Sequence, residues 1–162
     1  MSGNWRGADP MTSIYTRTGD SGESSVKSER LRKDALVFDV LGDLDELNSW
    51  LGTIRDDVPE EACARLLDVQ GALMSLSADL AGYGAFTTEL VPALEHDIDR
   101  LTDGPFSLRP PAGRIHVART VCRRAERHLV AFRPDHPGLP FVNRLSDYLY
   151  ALAESVRKES RP

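Results

Sequence analysis

Residues 114–132 read RIHVARTVCRRAERHLVAF, and their spacing decides the fold. Placed at about 100° per residue, Ile115, Ala118, Val121, Cys122, Ala125, Leu129 and Phe132 share one stripe, as in an amphipathic helix with one face in a core. Arg119, Arg123 and Glu126 fall together in a band of about 60° that lies beside this stripe and not opposite it. Two guanidiniums one turn apart can face one polyanion, and the arginine fork matches phosphate oxygens bidentately. Glu126, three residues from Arg123, is spaced to orient that arginine or to accept from a ligand hydroxyl. His116 lies on the same side, whereas Arg124 points elsewhere, toward water. A solvated basic face laced by intrahelical ion pairs would have the same composition, so this stretch alone leaves both readings open.

The helical period continues on either side. A first helix is expected over 34–56, where Val37, Val40, Leu41, Leu44, Leu47, Leu51 and Ile54 recur at three and four residues. Pro59 interrupts it, and a second helix fits 60–80, ended by Gly82 and Gly84. A shorter third helix is expected over 88–101, closed by Asp103-Gly104. A proline-rich connector, 105–113, leads to the helix over 114–132. Pro134, Pro137 and Pro140 then punctuate the link to a fifth, over 141–158, whose stripe is Phe141, Leu145, Tyr148, Leu149, Leu152 and Val156. No strand-like alternation of useful length stands out. These elements predict an all-α fold, a five-helix up-and-down bundle.

With 162 residues, 41% of them hydrophobic and 28% charged, the chain fits one domain with a sizeable core. Residues 1–13 are polar and read as a disordered extension, leaving 14–160 for the domain. A net charge of -5 and the lack of a basic arm argue against nucleic acid as a partner. No apolar run approaches the roughly 20 residues that span a bilayer, and residues 1–10 hold no signal-peptide core, so no membrane is expected. Cys63 and Cys122 both fall inside apolar helical patterns and read as reduced core residues of a cytoplasmic protein.

Other candidates lie outside the arginine helix. Thr18-Gly19-Asp20-Ser21-Gly22-Glu23-Ser24-Ser25 combines glycines, which let backbone N–H groups converge, with hydroxyl donors, the ingredients of a phosphate nest. It lacks the Gly-Lys-Ser/Thr ending of a Walker A loop, and a plain linker has a similar composition. Arg30 and Lys33 are close enough in sequence to add positive charge. On the first helix Asp39, Asp43 and Glu46 point away from the apolar stripe, as solvated acids. Asp45, about 40° beyond Leu41, sits at the margin of the buried face, where an arginine partner at a helix or subunit contact is expected. Asn143 shares the far side of the fifth helix with Asp147, Tyr150 and Glu154, and suits a ligand, a partner chain or local backbone. Phe106 reads as a plug for one end of the core. The four histidines show no metal-ligand spacing, so no residue is assigned to a metal.

Three segments together resemble the propanediol-utilisation type of ATP:cob(I)alamin adenosyltransferase, the corrinoid adenosyltransferases. They are IYTRTGDSGESS (14–25), GDLDELNSWLG (42–52), and HVARTVCRRAER (116–127) taken with FVNRLSDYL (141–149). The resemblance implies a five-helix bundle of the cobalamin adenosyltransferase-like, ferritin-like kind, forming a homotrimer with active sites between subunits. It implies transfer of the 5′-deoxyadenosyl group of ATP to cob(I)alamin, giving adenosylcobalamin and triphosphate with Mg2+ present. Residues 14–33 would be the ATP-binding loop, with Thr16, Arg17, Thr18, Gly19, Ser24, Ser25 and Lys33 on the nucleotide. Arg119, Arg123, Arg124, Glu126, Arg127 and Asn143 would complete the site, Asp45 would pair with Arg119 across the subunit interface, and Phe106 would press on the lower face of the corrin. A cobalamin reductase and a B12-dependent mutase are the partners such a role implies. Ser21 stands where the family usually carries lysine, and SLRPPAGRI after Phe106 lacks the usual Pro-Gly-Gly. These departures suit the alternative of a diverged, non-catalytic trimer that holds nucleotide or cobalamin as a carrier or sensor.

Overall fold

The computed structural model describes residues 15, 17–27, 29–102 and 109–159. They fall into two compact units, one ending at Lys33 and one beginning at Asp34. The second is helical, with α1 (Leu36–Ile54), α2 (Glu60–Leu80), α3 (Leu90–Leu101), α4 (Arg114–Phe132) and α5 (Leu139–Glu159). A 3-10 turn, Arg55–Asp57, prolongs α1. The five-helix bundle expected from the periodicity is present. Its boundaries differ from expectation in two places for local reasons. Helix α3 starts two residues late: Thr88 lies ahead of its first turn, its hydroxyl accepting the Leu90 N–H at 3.2 Å, and Glu89 is the capping position. Helix α5 starts two residues early because Pro140, read as punctuation, occupies the first turn, where a missing N–H leaves no bond unmade.

Helix α4 packs against both α1 and α5; α2 then lies on α1 and α3 on α5. Leu44, Leu47, Leu51, Leu66, Leu73, Leu76, Leu129, Phe141, Leu145 and Leu149 are buried where these stripes meet. Burial of a leucine side chain is worth about 1.5–3 kcal/mol, so this shared core dominates the stability of the unit. Ion pairs tie α3 to α2: Arg65 Nε donates to Asp97 Oδ2 at 2.7 Å, and Arg100 meets Glu61. Among the described residues, no helix is long and apolar enough to cross a membrane.

The first unit corrects the sequence reading of a strand-free loop. Its β1 (Glu23–Val26) and β2 (Glu29–Arg32) pair antiparallel, with Glu23 opposite Arg32 and Val26 opposite Glu29. Four-residue strands are too short for alternation to be read, and the turn between them uses Lys27 with φ of 52°, a conformation for which its composition gives little warning.

One turn joins three elements. Asp79 of α2 accepts the Phe86 N–H at 2.9 Å and lies 3.1 Å from His136 Nε2, while His136 Nδ1 accepts the Gly138 N–H at 2.9 Å. A Cβ on Gly138 would stand 2.8 Å from Leu76 Cδ1 and 2.9 Å from His136 Nδ1. Gly138→Ala is therefore expected to lower the unfolding free energy by about 1–3 kcal/mol, measured by urea titration of the helical circular dichroism; an unchanged midpoint would show that the turn relaxes freely.

Candidate functional site

The three-way packing of α4 decides where its polar residues go. Arg119, half-buried, and Arg123, exposed, open onto a cavity of about 460 Å³ between α3, α4, α5 and the chain preceding α4. Arg109 also lines it, and Ile98, Pro111, Tyr150 and Ala151 supply apolar surface. That volume is typical of small-molecule pockets, and three guanidiniums on a largely apolar concavity suit a ligand with both an anionic and an apolar part. Arg123 makes no ion pair with a described carboxylate, so its charge is available to a ligand. Phe106 falls in sequence between Thr102 and Arg109, which both line the cavity; it lies, like Thr16, outside the described residues.

Arg119 is held by its own helix. Its Nε donates to Nδ1 of His116, 3.2 Å away. His116 is 5% exposed, its Nε2 lies 3.6 Å from Glu154 Oε1 of α5, and the Tyr150 ring stands edge-on with centroids 6.0 Å apart. Burial, and then the Arg119 charge, push the His116 pKa below the ordinary histidine value, against a smaller upward pull from Glu154. About two turns beyond Arg119, Asn143 of α5 donates to Glu126 at 2.8 Å, joining two expected site residues from different helices. Arg127 Nη1 donates to the Arg123 carbonyl at 3.0 Å.

Two readings of charge change. Arg124 does not point to water: its Nε donates to Asp43 Oδ1 at 2.8 Å and its Nη2 bonds Glu46, both on α1. Asp43 is not a solvated acid either, being 7% exposed, with His128 Nδ1 2.8 Å from its other oxygen. The cause in both cases is that α4 covers this side of α1. Asp45, on the opposite margin, is exposed and makes no ion pair with a described residue. Cys122 is buried, its thiol donating to the Val142 carbonyl at 3.3 Å, and burial pushes its pKa far up; it is inert packing. Both cysteines are free.

In the first unit the loop folds tightly, the Gly22 N–H reaching the Gly19 carbonyl at 3.2 Å and the Lys33 N–H the Gly22 carbonyl at 2.9 Å. The Lys33 ammonium lies against Gly19, 3.0 Å from where a Cβ would stand. Arg17 has φ of 60°. Arg30, by contrast, is engaged by Glu23 at 2.9 Å and by the Thr18 carbonyl.

Residues 14–156 match the cobalamin adenosyltransferase family. The chain belongs to that family. It is 35% identical to the corrinoid adenosyltransferase of Bacillus subtilis, over 91% of this chain and 88% of that one. It is 36% identical to the cobalamin adenosyltransferase of Cupriavidus metallidurans, over 91% and 90%. A variant of the PduO-type ATP:corrinoid adenosyltransferase from Lactobacillus reuteri, complexed with cobalamin and ATP, superposes with a TM-score of 0.81 at 29% identity, covering 93% of this chain and 97% of that one. The cobalamin adenosyltransferase match spans both the arginine helix and the asparagine helix that meets it. The residues that sequence reasoning missed are those paired across helices, Asp43, His128 and Glu154; Asp43 is placed there among the solvated acids, and the margin position is given to Asp45 instead.

The α1–α4 cluster is structural, and Asp43→Ala is expected to cost about 1–3 kcal/mol in chemical denaturation, since it leaves Arg124 and His128 facing a gap. Asp39→Ala, on the exposed side of the same helix, should stay within about 0.5 kcal/mol. Equal effects would remove the distinction between the two acids.

Proposed function

We propose that this chain transfers the 5′-deoxyadenosyl group of ATP to cob(I)alamin, giving adenosylcobalamin and triphosphate. The observation that carries the reading is the convergence of Arg119 and Arg123, with Arg109, on one largely apolar cavity. Cob(I)alamin is a strong nucleophile at cobalt, so no general base is needed. The cobalt electron pair forms the Co–C5′ bond while the C5′–O bond breaks and its pair leaves with triphosphate. What remains for the protein is alignment of the two centres and stabilisation of the departing polyanion. Arg123, which makes no ion pair with a described carboxylate, takes the leaving phosphates in this scheme, and Arg119 works beside it. Glu126 and Asn143, bonded to each other, hold the nucleoside side, with Arg127 and Arg124 close by on α4. The loop residues Thr16, Arg17, Thr18, Gly19, Ser24, Ser25 and Lys33 are proposed as further nucleotide contacts, consistent with Lys33 lying on Gly19. Phe106 is proposed to press on the corrin and exclude an axial ligand.

Among the described residues, no group of three or more His, Cys, Asp or Glu side chains is arranged to hold a metal ion. Mg2+ is therefore proposed to enter on the ATP phosphates, as it commonly does, neutralising charge there. The proposed assembly is a homotrimer with sites between subunits; the exposed Asp45, without a described partner, supports a pairing with Arg119 of a neighbouring copy. The free cysteines agree with a reducing, cytoplasmic setting. A reductase that delivers cob(I)alamin and a mutase that takes up the product are the partners this chemistry requires.

The test is a spectrophotometric assay with chemically reduced cobalamin, ATP and Mg2+, following loss of the cob(I)alamin band. ATP-dependent turnover is expected, and Arg123→Ala should reduce it by at least about a hundredfold with helical circular dichroism unchanged. Wild-type-like turnover in that variant would remove Arg123 from the scheme. Absence of any turnover, with ATP still raising Tm, would instead identify a nucleotide-holding carrier or sensor.

A further inference from the structure

The geometry points to His116 as a positioning residue for Arg119, acting through a hydrogen bond that exists only while the imidazole is neutral. This rests on the adenosyltransferase reading of the cavity. An arginine Nε always carries hydrogen, so the 3.2 Å contact requires a lone pair on His116 Nδ1. The ring proton must then sit on Nε2, the nitrogen facing Glu154 Oε1 at 3.6 Å. Arg157 Nη1 stands 3.5 Å from that same carboxylate oxygen. A series of charged and polar groups thus runs from α5 to the cavity: Arg157 and His116 lie within ion-pair distance of Glu154, and Arg119 is hydrogen-bonded to His116. Proton uptake at Nδ1 would set an N–H against the guanidinium N–H and place two cations together. The bond would break, and Arg119 would lose its aim.

Among the described residues, charged and titratable groups face the ring from several elements. Helix α4 presents Arg119, with Arg123 across the cavity; α5 presents Glu154, Arg157, Tyr150 and Asp147; the chain before α4 presents Arg109. Among the described residues, Ile98 of α3 and Thr102 just after it also line the cavity, and neither is titratable. Burial and the nearest cation both hold the ring neutral at neutral pH, the downward direction already noted. The sign follows: positioning is complete above the lowered His116 pKa and is lost as pH falls through it.

Two measurements on the full chain test this. The first is ring 15N chemical shifts of labelled histidine across a pH titration, with His116 assigned from its variant. Expected are a ring protonated on Nε2, titration below the ordinary histidine value, and an upward shift of that titration in Arg119→Ala. Protonation on Nδ1 at neutral pH, or a titration indifferent to Arg119→Ala, overturns the pairing. The second is kcat/KM for ATP from about pH 5 to 8. The wild type should lose activity about tenfold per pH unit below the His116 titration. His116→Asn places Oδ1 near the position of Nδ1 and should stay within about threefold of wild type at neutral pH while losing this acid limb. His116→Leu, with no acceptor, should fall by about tenfold or more throughout. An acid limb that persists unchanged in His116→Asn overturns the positioning role. A wild-type chain without transferase activity would sink the adenosyltransferase reading and with it the positioning role, while the ring-nitrogen assignment would still decide whether the pair exists.

Discussion

Helix α4 is covered from two directions, by α1 and by α5, and most of the molecule's organisation depends on that double coverage. A helix buried on one stripe can leave its arginines to solvent. A helix clamped between two neighbours must account for every polar group on its flanks, because an unpaired group taken out of water costs more than a typical hydrogen bond returns. The flank toward α1 is settled by Arg124 and His128 meeting Asp43, with Glu46 joining from the same helix. The flank toward α5 is settled by His116 and Glu154, and by Glu126 and Asn143. What the clamp leaves over is the pair Arg119 and Arg123, which no described carboxylate neutralises and which therefore face the cavity.

This division gives the arginines of one helix different tasks. Arg124 is part of the frame, and its ion pairs, partly open to water, contribute modestly to stability while fixing the rotation of α4 against α1. That rotation in turn sets where Arg119 and Arg123 point. The proposed polyanion site, assembled this way, is preorganised: the arginines are aimed before any ligand arrives, so less ordering is left to be done on binding. The apolar remainder of the cavity, Ile98, Pro111, Tyr150 and Ala151, gives a flat hydrophobic partner somewhere to lie beside the phosphates. On the proposed function, one cavity would offer both halves of a reaction between a nucleotide and a macrocycle.

The helical period was readable from residue numbers alone because one apolar stripe per helix is a local property, and α2 and α4 begin and end where that stripe does. The strand pair β1–β2 was not readable, because four residues carry too little alternation and the turn depends on a lysine at positive φ. The site residues divide in the same way. Arg119, Arg123 and Glu126 stand out by spacing within one helix; Glu154 and His128 do not, since their significance lies in what another helix brings to them.

Asp43 and Asp45 show where the boundary falls. Each carboxylate stands about 40° from an apolar residue of α1, Asp43 beside Leu47 and Asp45 beside Leu41, so the angle gives no ground for the sequence reading that set Asp43 among the solvated acids and only Asp45 at the margin. The sequence by itself determined five amphipathic helices and a pair of arginines beside a buried stripe, because these follow from residue spacing along one chain segment, while three separate motifs carried the resemblance to the family. Only the tertiary structure decided that Asp43 is buried under Arg124 and His128 while Asp45 is left exposed, and that His116 lends its Nδ1 to Arg119. Burial and pairing are set by which neighbour covers which flank, and that is a property of packing between helices separated by tens of residues in the chain.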